Sequence, residues 1–590
     1  MWEARATRAL FLFVLVSAIS ALLSVHRGNS LEAMLNLLAI TGIFLAAMTS
    51  VRGMGMLRGV AFFEVLVAIP VATLGILQHF RPELLPAANS YPGRALGPFG
   101  QPNRMGGYLI AMIPVALGLA FLAQDRALKA GLLLVSFGLV FCLAATYSRG
   151  AWLGLAVGLL VFAAAFARWP ELMPRPAMLG LAVACLTLPF AALLPSVLSR
   201  VQPRPASGPA WNLPIDPERE GSGAMRGAIW SGAIRAAMSR PVAGWGIGSF
   251  RQAYDVSKDA TMKRLEAEGG RTADQAHNHY LGILAERGVL GLAAFAALTA
   301  LTLGAAAMAM ASGTQAMGRV LVAGLAGSVV ALLAHGLFDD NLALIPHGTL
   351  LFAGLGLLAA APATARRVSG PSRVTARAGL VAAIVAAGIS VLSFGGQSFA
   401  QAASSAASAG NPEGALARWR TATRLAPWRG EFAVSRAEAA ERLASTAANV
   451  PALREAEGAY RKAIAINGAD PVTRQELARL YLAHPHVWGN RGTGLALEQL
   501  RIAVAQNPYY AEIQNDLGVA LLRSGHRPEA RAAFGRAAHG RPGFVDPLLN
   551  LAALAIESGD RVEARSWLEQ ALQREPNSAR ARALLEGLGP

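Results

Sequence analysis

Over the first two thirds of the chain, apolar residues come in blocks of about 20, separated by short polar breaks. A helix rises about 1.5 Å per residue, so such a block crosses a bilayer core of about 30 Å. The blocks lie near 9–25, 31–49, 59–79, 106–122, 130–147, 151–167, 177–197, 286–311, 319–337, 342–361 and 378–395. They predict an all-α fold that opens with a polytopic transmembrane bundle of about 11–12 spans, residues 1–397. One polar interval, 198–278, is too long for a simple connection and reads as a large loop on one side of the membrane. Past residue 397 the long apolar runs stop. An Ala/Ser-rich linker at 398–410 leads into an Ala-, Arg- and Glu-rich soluble helical domain at 411–590.

That last domain has an internal period. Pro508, Pro542 and Pro576 recur every 34 residues, as do Gly525 and Gly559, Glu529 and Glu563, Ala530 and Ala564, and Ala537 and Ala571. A helix–turn–helix unit of about 34 residues resembles the tetratricopeptide repeat. Such units stack into an α-solenoid with a concave groove, which implies a protein partner docked through the repeats. The period is strong over 500–590 and weaker over 411–485.

Charge sets the orientation. The formal net charge is +17, but the Arg residues are scattered along the edges of apolar blocks. That distribution suits membrane lipids and does not make the single basic stripe that nucleic acid requires. With the N-terminus in the cytoplasm, the inner loops carry Arg5, Arg8, Arg52, Arg58, Arg126, Lys129, Arg168, Arg175 and Arg319. The cluster Arg366, Arg367, Arg373 and Arg377 falls on the same side. Arg27, Arg81, Arg94, Arg104 and Arg149 are the exceptions. The expectation is a multi-pass membrane protein. Loop 198–278 and the C-terminal repeats then face outward, toward a periplasm where one exists. Cys142 and Cys185 both lie inside apolar blocks and say nothing about redox compartment.

Alternation of spans gathers several polar stretches at that outer face: "GPFGQPNRMGGYL" (97–109), "TYSRGAWLGL" (146–155), "MRGAIWSGAIRAAMSRPVAGWGIGSF" (225–250), "AHNHYLGILAERGVLGL" (276–292) and "HGLFDDNLALIPHG" (335–348). The third reads as a short helix ended by Pro241 and followed by a Gly-rich turn. Arg226 and Trp230, four apart, share one face of it. Arg149 sits in a connection barely longer than a turn, where its charge needs water or an anion. Lipid phosphates and diphosphates are the anions at that depth, and a guanidinium grips them with two parallel donors. The bland alternatives are an interface-anchoring Arg and a structural His. On a helix, His277 and His279 would point about 200° apart and could not share a metal ion. No metal-binding or nucleotide-loop motif is evident, so no cofactor is expected.

The ordered set "FGQPNRMGGYL", "YSRGAWLGL", "RGAIWSGAIRAAMSRPVAGWGIGSF" and "AHNHYLGILAERGVLGL" resembles the O-antigen ligase/polymerase superfamily of bacterial membrane glycosyltransferases, over roughly residues 95–360. The resemblance implies a metal- and ATP-independent enzyme that takes a glycan from undecaprenyl diphosphate. The acceptor is then a glycan, a lipid such as lipid A-core, or a protein. It implies His277 as the catalytic histidine and Arg149 and Arg226 as diphosphate ligands. A further basic residue at the loop's start is Arg200 or Arg204, and Arg200 is taken as the candidate. Asn278, Trp230 and Asp339 are supporting candidates. Ligase, polymerase and protein O-oligosaccharyltransferase share this donor chemistry and are not separated here. A transporter is a weaker alternative, because the polar residues collect at one face and not at the midplane.

Overall fold

The computed structural model describes residues 2–24, 26–51, 53–81, 93–168, 187, 223–260, 262–263, 273–311, 316–340, 345–364, 373–447, 449–468, 470–541 and 543–589. Among the described residues there is helix and no strand. The membrane half comprises α1 (Trp2–Leu22), α2 (Arg27–Ser50), α3 (Met54–Phe80), α4 (Pro102–Leu122), α5 (Arg126–Thr146) and α6 (Arg149–Arg168). Two short helices, α7 (Gly223–Ser239) and α8 (Phe250–Ser257), belong to the large loop. They are followed by α9 (His279–Ala311), α10 (Ala316–His335), α11 (Ile345–Thr364) and α12 (Arg373–Ser408). Ten of the eleven predicted apolar blocks coincide with these helices; block 177–197, with Cys185, lies outside the described residues. Arg175, Arg200, Arg204, Arg366 and Arg367 do too.

Seven of these helices are long and apolar enough to cross a bilayer, and the chain is a membrane protein. α4 is the axis of the bundle: 94% of its apolar window is buried, against 28% for α3. The outer helices leave Phe11, Leu15, Phe63 and Leu66 exposed, as lipid-facing positions should be. α6 and α10 pack backbone to backbone, because a Cβ on Gly327 would stand 2.8 Å from the Gly158 carbonyl.

α9 begins seven residues before the predicted block and breaks at Gly288, where φ is 65° and ψ is −169°. That region of backbone space is essentially open to glycine alone. The break leaves helix carbonyls without helical partners. The Gly-rich turn foreseen after Pro241 takes them up: Trp245 N–H donates to the Ala285 carbonyl (3.0 Å) and Gly246 N–H to that of Glu286 (2.9 Å). The Pro241 carbonyl in turn accepts from Val289 N–H (2.8 Å). Ser20 Oγ donates to the same Glu286 carbonyl (2.7 Å), and Ser30 Oγ to Ile247 (2.6 Å). The large loop is thereby stitched to the ends of α1, α2 and α9.

Residues 398–408, expected as a linker, are the last turns of α12, which runs unbroken from the membrane block into the repeats. The solenoid follows as helix pairs: α13 (Pro412–Leu425) with α14 (Gly430–Ala447), α15 (Val450–Ile466) with α16 (Pro471–Ala483), α17 (Asn490–Gln506) with α18 (Ala511–Arg523), α19 (Arg527–Gly540) with α20 (Asp546–Glu557), and α21 (Arg561–Arg574) with α22 (Ala579–Gly587). The first helices of successive pairs start 38, 40, 37 and 34 residues apart, and an extra turn at Pro485–Trp488 lengthens one connection. The 34-residue register is therefore clean only at the end, where it was legible. There even the turn bonds repeat, His526 N–H to Leu521 and Asp560 N–H to Ala555 (both 2.9 Å).

The solenoid does not hang free. Arg429 pairs with Glu32 at the start of α2 (3.2 Å), His26 Nδ1–H donates to the Ile466 carbonyl, and Asn507 Nδ2 donates to the Lys263 carbonyl of the large loop (3.3 Å). Burial pushes the His26 imidazole pKa down, opposed by that carbonyl.

Candidate active site

His335, the last residue of α10, and the following Gly336–Asp340 form a turn that joins the scattered motifs. His279 N–H donates to the Gly336 carbonyl (2.8 Å) and Asn278 Nδ2 to that of Leu337 (3.0 Å). His279 Nδ1 meets Asp340 Oδ1 at 2.9 Å, which fixes the ring's tautomer and orientation. A Cβ on Gly150, beside Arg149, would stand 3.0 Å from Phe338 and 3.5 Å from the His335 ring. From the second motif, Ser148 Oγ donates to Asn103 Oδ1 (2.9 Å) of the first, and His347 Nε2–H of the fifth donates to the Arg104 carbonyl (2.7 Å). The five motif stretches therefore meet at one end of the bundle, the end on which the solenoid docks.

His277 is not on the helix. It precedes α9 with φ 48°, so the two-histidine helix geometry assumed from sequence does not apply: His277 occupies a left-handed turn, half-buried, and His279 is the first helical residue, buried. The ring of His277 has no hydrogen-bond partner among the described residues. Asn278 is the helix cap, its Oδ1 accepting from Tyr280 and Leu281 N–H (both 3.1 Å). Among the described residues only one other non-glycine has a positive φ, Tyr147 at 53°, next to the Ser148–Arg149 turn. Left-handed backbone at a non-glycine residue costs of order 1–2 kcal/mol, and both instances stand in the motifs.

The candidates are disposed as follows. Arg149 is exposed at the N-terminus of α6, with no partner among the described residues. Arg226 and Trp230 lie one turn apart on α7, and Arg226 Nε and Trp230 Nε1 are buried without a hydrogen-bond partner among the described residues. Asp339 is buried, and its Oδ1 accepts from Asp340 N–H (2.8 Å). Arg226, Asp339 and His347 all lie within electrostatic range of His335. Two residues that the sequence did not single out join this group. Arg104, on the first turn of α4, lies within electrostatic range of His347, and among the described residues its buried Nε and the buried Nδ1 of His347 have no partner. The signal for Arg104 was present: it was one of the cations on the wrong side of the charge rule. Orphaned buried donors demand an explanation, and a guanidinium is a group that can grip an anion.

Behind this group Glu286 Oε1 accepts from Phe250 N–H (3.2 Å), and Arg287 lies over the Phe13 ring at 5.5 Å. These contacts hold the large loop against α1 and α9, so the frame carrying Arg226 is anchored.

Comparison with known proteins bears on both halves. Residues 132–296 match the family described as O-antigen ligase, and residues 527–588 match the tetratricopeptide repeat. A curated TPR repeat-containing protein of Pseudomonas aeruginosa is 37% identical over 103 residues, 17% of this chain and 42% of that protein. The chain thus spans less than half the length of this curated relative. Among solved structures, MamA is 18% identical and covers 30% of this chain and 96% of its own, with a TM-score of 0.26. YrrB, described as a TPR protein with an unusual peptide-binding site, is 20% identical, covering 32% and 90%, at 0.26. Pseudomonas aeruginosa PilF is 18% identical, covering 33% and 84%, at 0.28. This membrane chain joins an O-antigen ligase family domain to C-terminal tetratricopeptide repeats.

Proposed function

We propose that the protein is a membrane glycosyltransferase that moves a glycan from undecaprenyl diphosphate to an acceptor outside the inner membrane. The observation that carries this reading is that, among the described residues, the non-glycine residues with left-handed backbone, His277 and Tyr147, stand in the two motifs that present an imidazole and Arg149. The match of residues 132–296 to the O-antigen ligase family supports it.

The chemistry follows from the groups present. The donor sugar's C1 is bonded to a diphosphate oxygen. An acceptor hydroxyl attacks C1, the C1–O bond breaks, and its electron pair leaves on the diphosphate. His277, whose ring has no hydrogen-bond partner among the described residues, takes the hydroxyl proton as general base and later yields it to solvent. Arg149 and Arg226 bind the diphosphate and stabilise the charge that grows on it. Arg200 is a third ligand in this proposal. Asn278 and Asp339 act by holding the turn. The motif end of the bundle faces outward, as the charge distribution favours.

The test is the surface glycan profile of a deletion strain complemented with wild type or His277→Ala. Loss of a general base costs about 10²–10⁴-fold, so His277→Ala should abolish transfer while the protein stays in the membrane. Full-length polymer stranded on the lipid carrier identifies a ligase; single repeat units on the acceptor identify a polymerase. Normal transfer by a well-expressed His277→Ala protein overturns the proposal.

A further inference from the structure

Where the solenoid meets the large loop there is a cavity of about 600 Å³, formed jointly by both. Its loop wall includes Arg251 and Asp274; its solenoid wall includes Asp470, Gln506 and Tyr510. Ligand sites favour such seams between domains, and the volume suits a small ligand. The seam is held open by defined contacts. Asn507 Nδ2 bonds the Lys263 carbonyl at one edge, and the buried Lys258–Asp255 pair (2.8 Å) fixes the loop beside it.

The lining mixes planar polar groups and two lysines with one aromatic ring and the apolar Val256, Pro471, Val472 and Ala505, and neither sign of charge prevails. Arg251 and Asp274 stand 3.3 Å apart, exposed to the space. Gln506 spends its Nε2–H on the Gly468 carbonyl (2.6 Å), which leaves its buried Oε1 without a partner. Adjacent donors and acceptors fixed in planes, beside an aromatic face, match vicinal hydroxyls on a sugar ring, each of which both donates and accepts. A phosphate would call for cations without carboxylates, and an apolar ligand for a drier wall.

Position supports the same occupant. Asp274 is three residues from His277, and three residues span at most about 11 Å. The Asp274 wall of the cavity is therefore close to His277 in the fold.

We propose that this cavity is a saccharide subsite, one wall of which is supplied by the repeat domain, and that it holds the glycan chain whose reacting end lies at His277. The proposal rests on the glycosyltransferase reading, and its test separates the two. The probe is a set of short oligosaccharides released by partial acid hydrolysis of the host's own surface polysaccharide. Saturation-transfer NMR on the detergent-purified full-length protein reads binding. Wild type and His277→Ala should both transfer saturation to the probe. Tyr510→Ala, and Lys263→Ala at the loop edge where folding is not at stake, should weaken it about tenfold and raise KM for one substrate with kcat within about twofold. A rise for the lipid-linked donor assigns the site to the donor glycan; a rise for the acceptor assigns it to the acceptor. Equal binding by wild type and both variants, or saturation transfer to a peptide digest and none to the oligosaccharides, overturns the subsite. A fully active His277→Ala protein with saccharide binding intact overturns the catalytic reading alone.

Discussion

Gly288→Ala tests whether the break in α9 holds the site together. At φ 65° and ψ −169° a Cβ is strained by about 1–3 kcal/mol. The new methyl would also run into the Val242 carbonyl, a backbone atom that cannot rotate away. Relief requires the turn at 241–246 to lift off α9. That movement gives up three backbone bonds, Val289 N–H to Pro241, Trp245 N–H to Ala285 and Gly246 N–H to Glu286. At about 1 kcal/mol net each, the bonds add some 3 kcal/mol if all are lost, and the strain can be relieved in part by losing them. A shift of about 3 kcal/mol in the local opening equilibrium is a change of about 100-fold in the open population. Hydrogen–deuterium exchange on peptides covering 241–250 and 285–292 reads it directly. Protection there should fall about 100-fold, while the repeats keep theirs. Gly131→Ala, on α5 with open space around it, is the control and should change neither. Protection within about threefold of wild type in Gly288→Ala would refute the claim that the break and the Gly-rich turn are one device.

Other outcomes are expected. Arg226→Ala should cost transfer more than Arg226→Lys, because the fork geometry matters as well as the charge, and Arg104→Ala should lower transfer with the protein still folded; kinetics in proteoliposomes decide both. In the repeats, burial and the neighbouring Glu476 raise the Glu441 pKa to about 7. A raised folded pKa favours the fold fully below about pH 4.5, and that contribution is lost as pH rises through 7. Glu441→Gln should therefore flatten the fall in repeat-domain stability between pH 5 and 8, by about 1–2 kcal/mol once partial exposure is discounted. Melting curves of Glu441→Gln and wild type that stay parallel across that range would contradict this. A Cβ on Gly518 would stand 2.5 Å from the Phe534 ring, so Gly518→Ala should destabilise the repeats by about 1–3 kcal/mol in a thermal melt. A double-mutant cycle on Arg429 and Glu32 should return a coupling of about 0.5–1 kcal/mol for solenoid docking, and a value near zero would assign docking to the other contacts.

Much of this was legible before any coordinates. Membrane helices follow from block length because a lipid core leaves the backbone no other partner than itself, and ten blocks became helices at close to their expected bounds. The helix at Gly223–Ser239 and its glycine turn were readable from Pro241 and from the spacing of Arg226 and Trp230. The repeat period was readable where insertions did not blur it. Three things were not. The first turns of α9 are too polar to join an apolar block, since they face a loop and not lipid. The linker looked like coil because Ala and Ser say little about tertiary context, yet α12 simply continues through it. Arg104 and His347 are 243 residues apart in sequence, and no local pattern announces that one ring will bond the other's carbonyl.

By itself, then, the sequence determined the class of each segment and that the polar motifs would gather at one end of the bundle. Those properties depend on local composition and on the alternation of spans. Only the tertiary structure decided that His277 stands in a left-handed turn ahead of its helix, that the turn at 335–340 is where the motifs join, and that the solenoid closes a cavity with the large loop. Each of these depends on contacts between residues distant in sequence, whose energies arise only when the chain is packed.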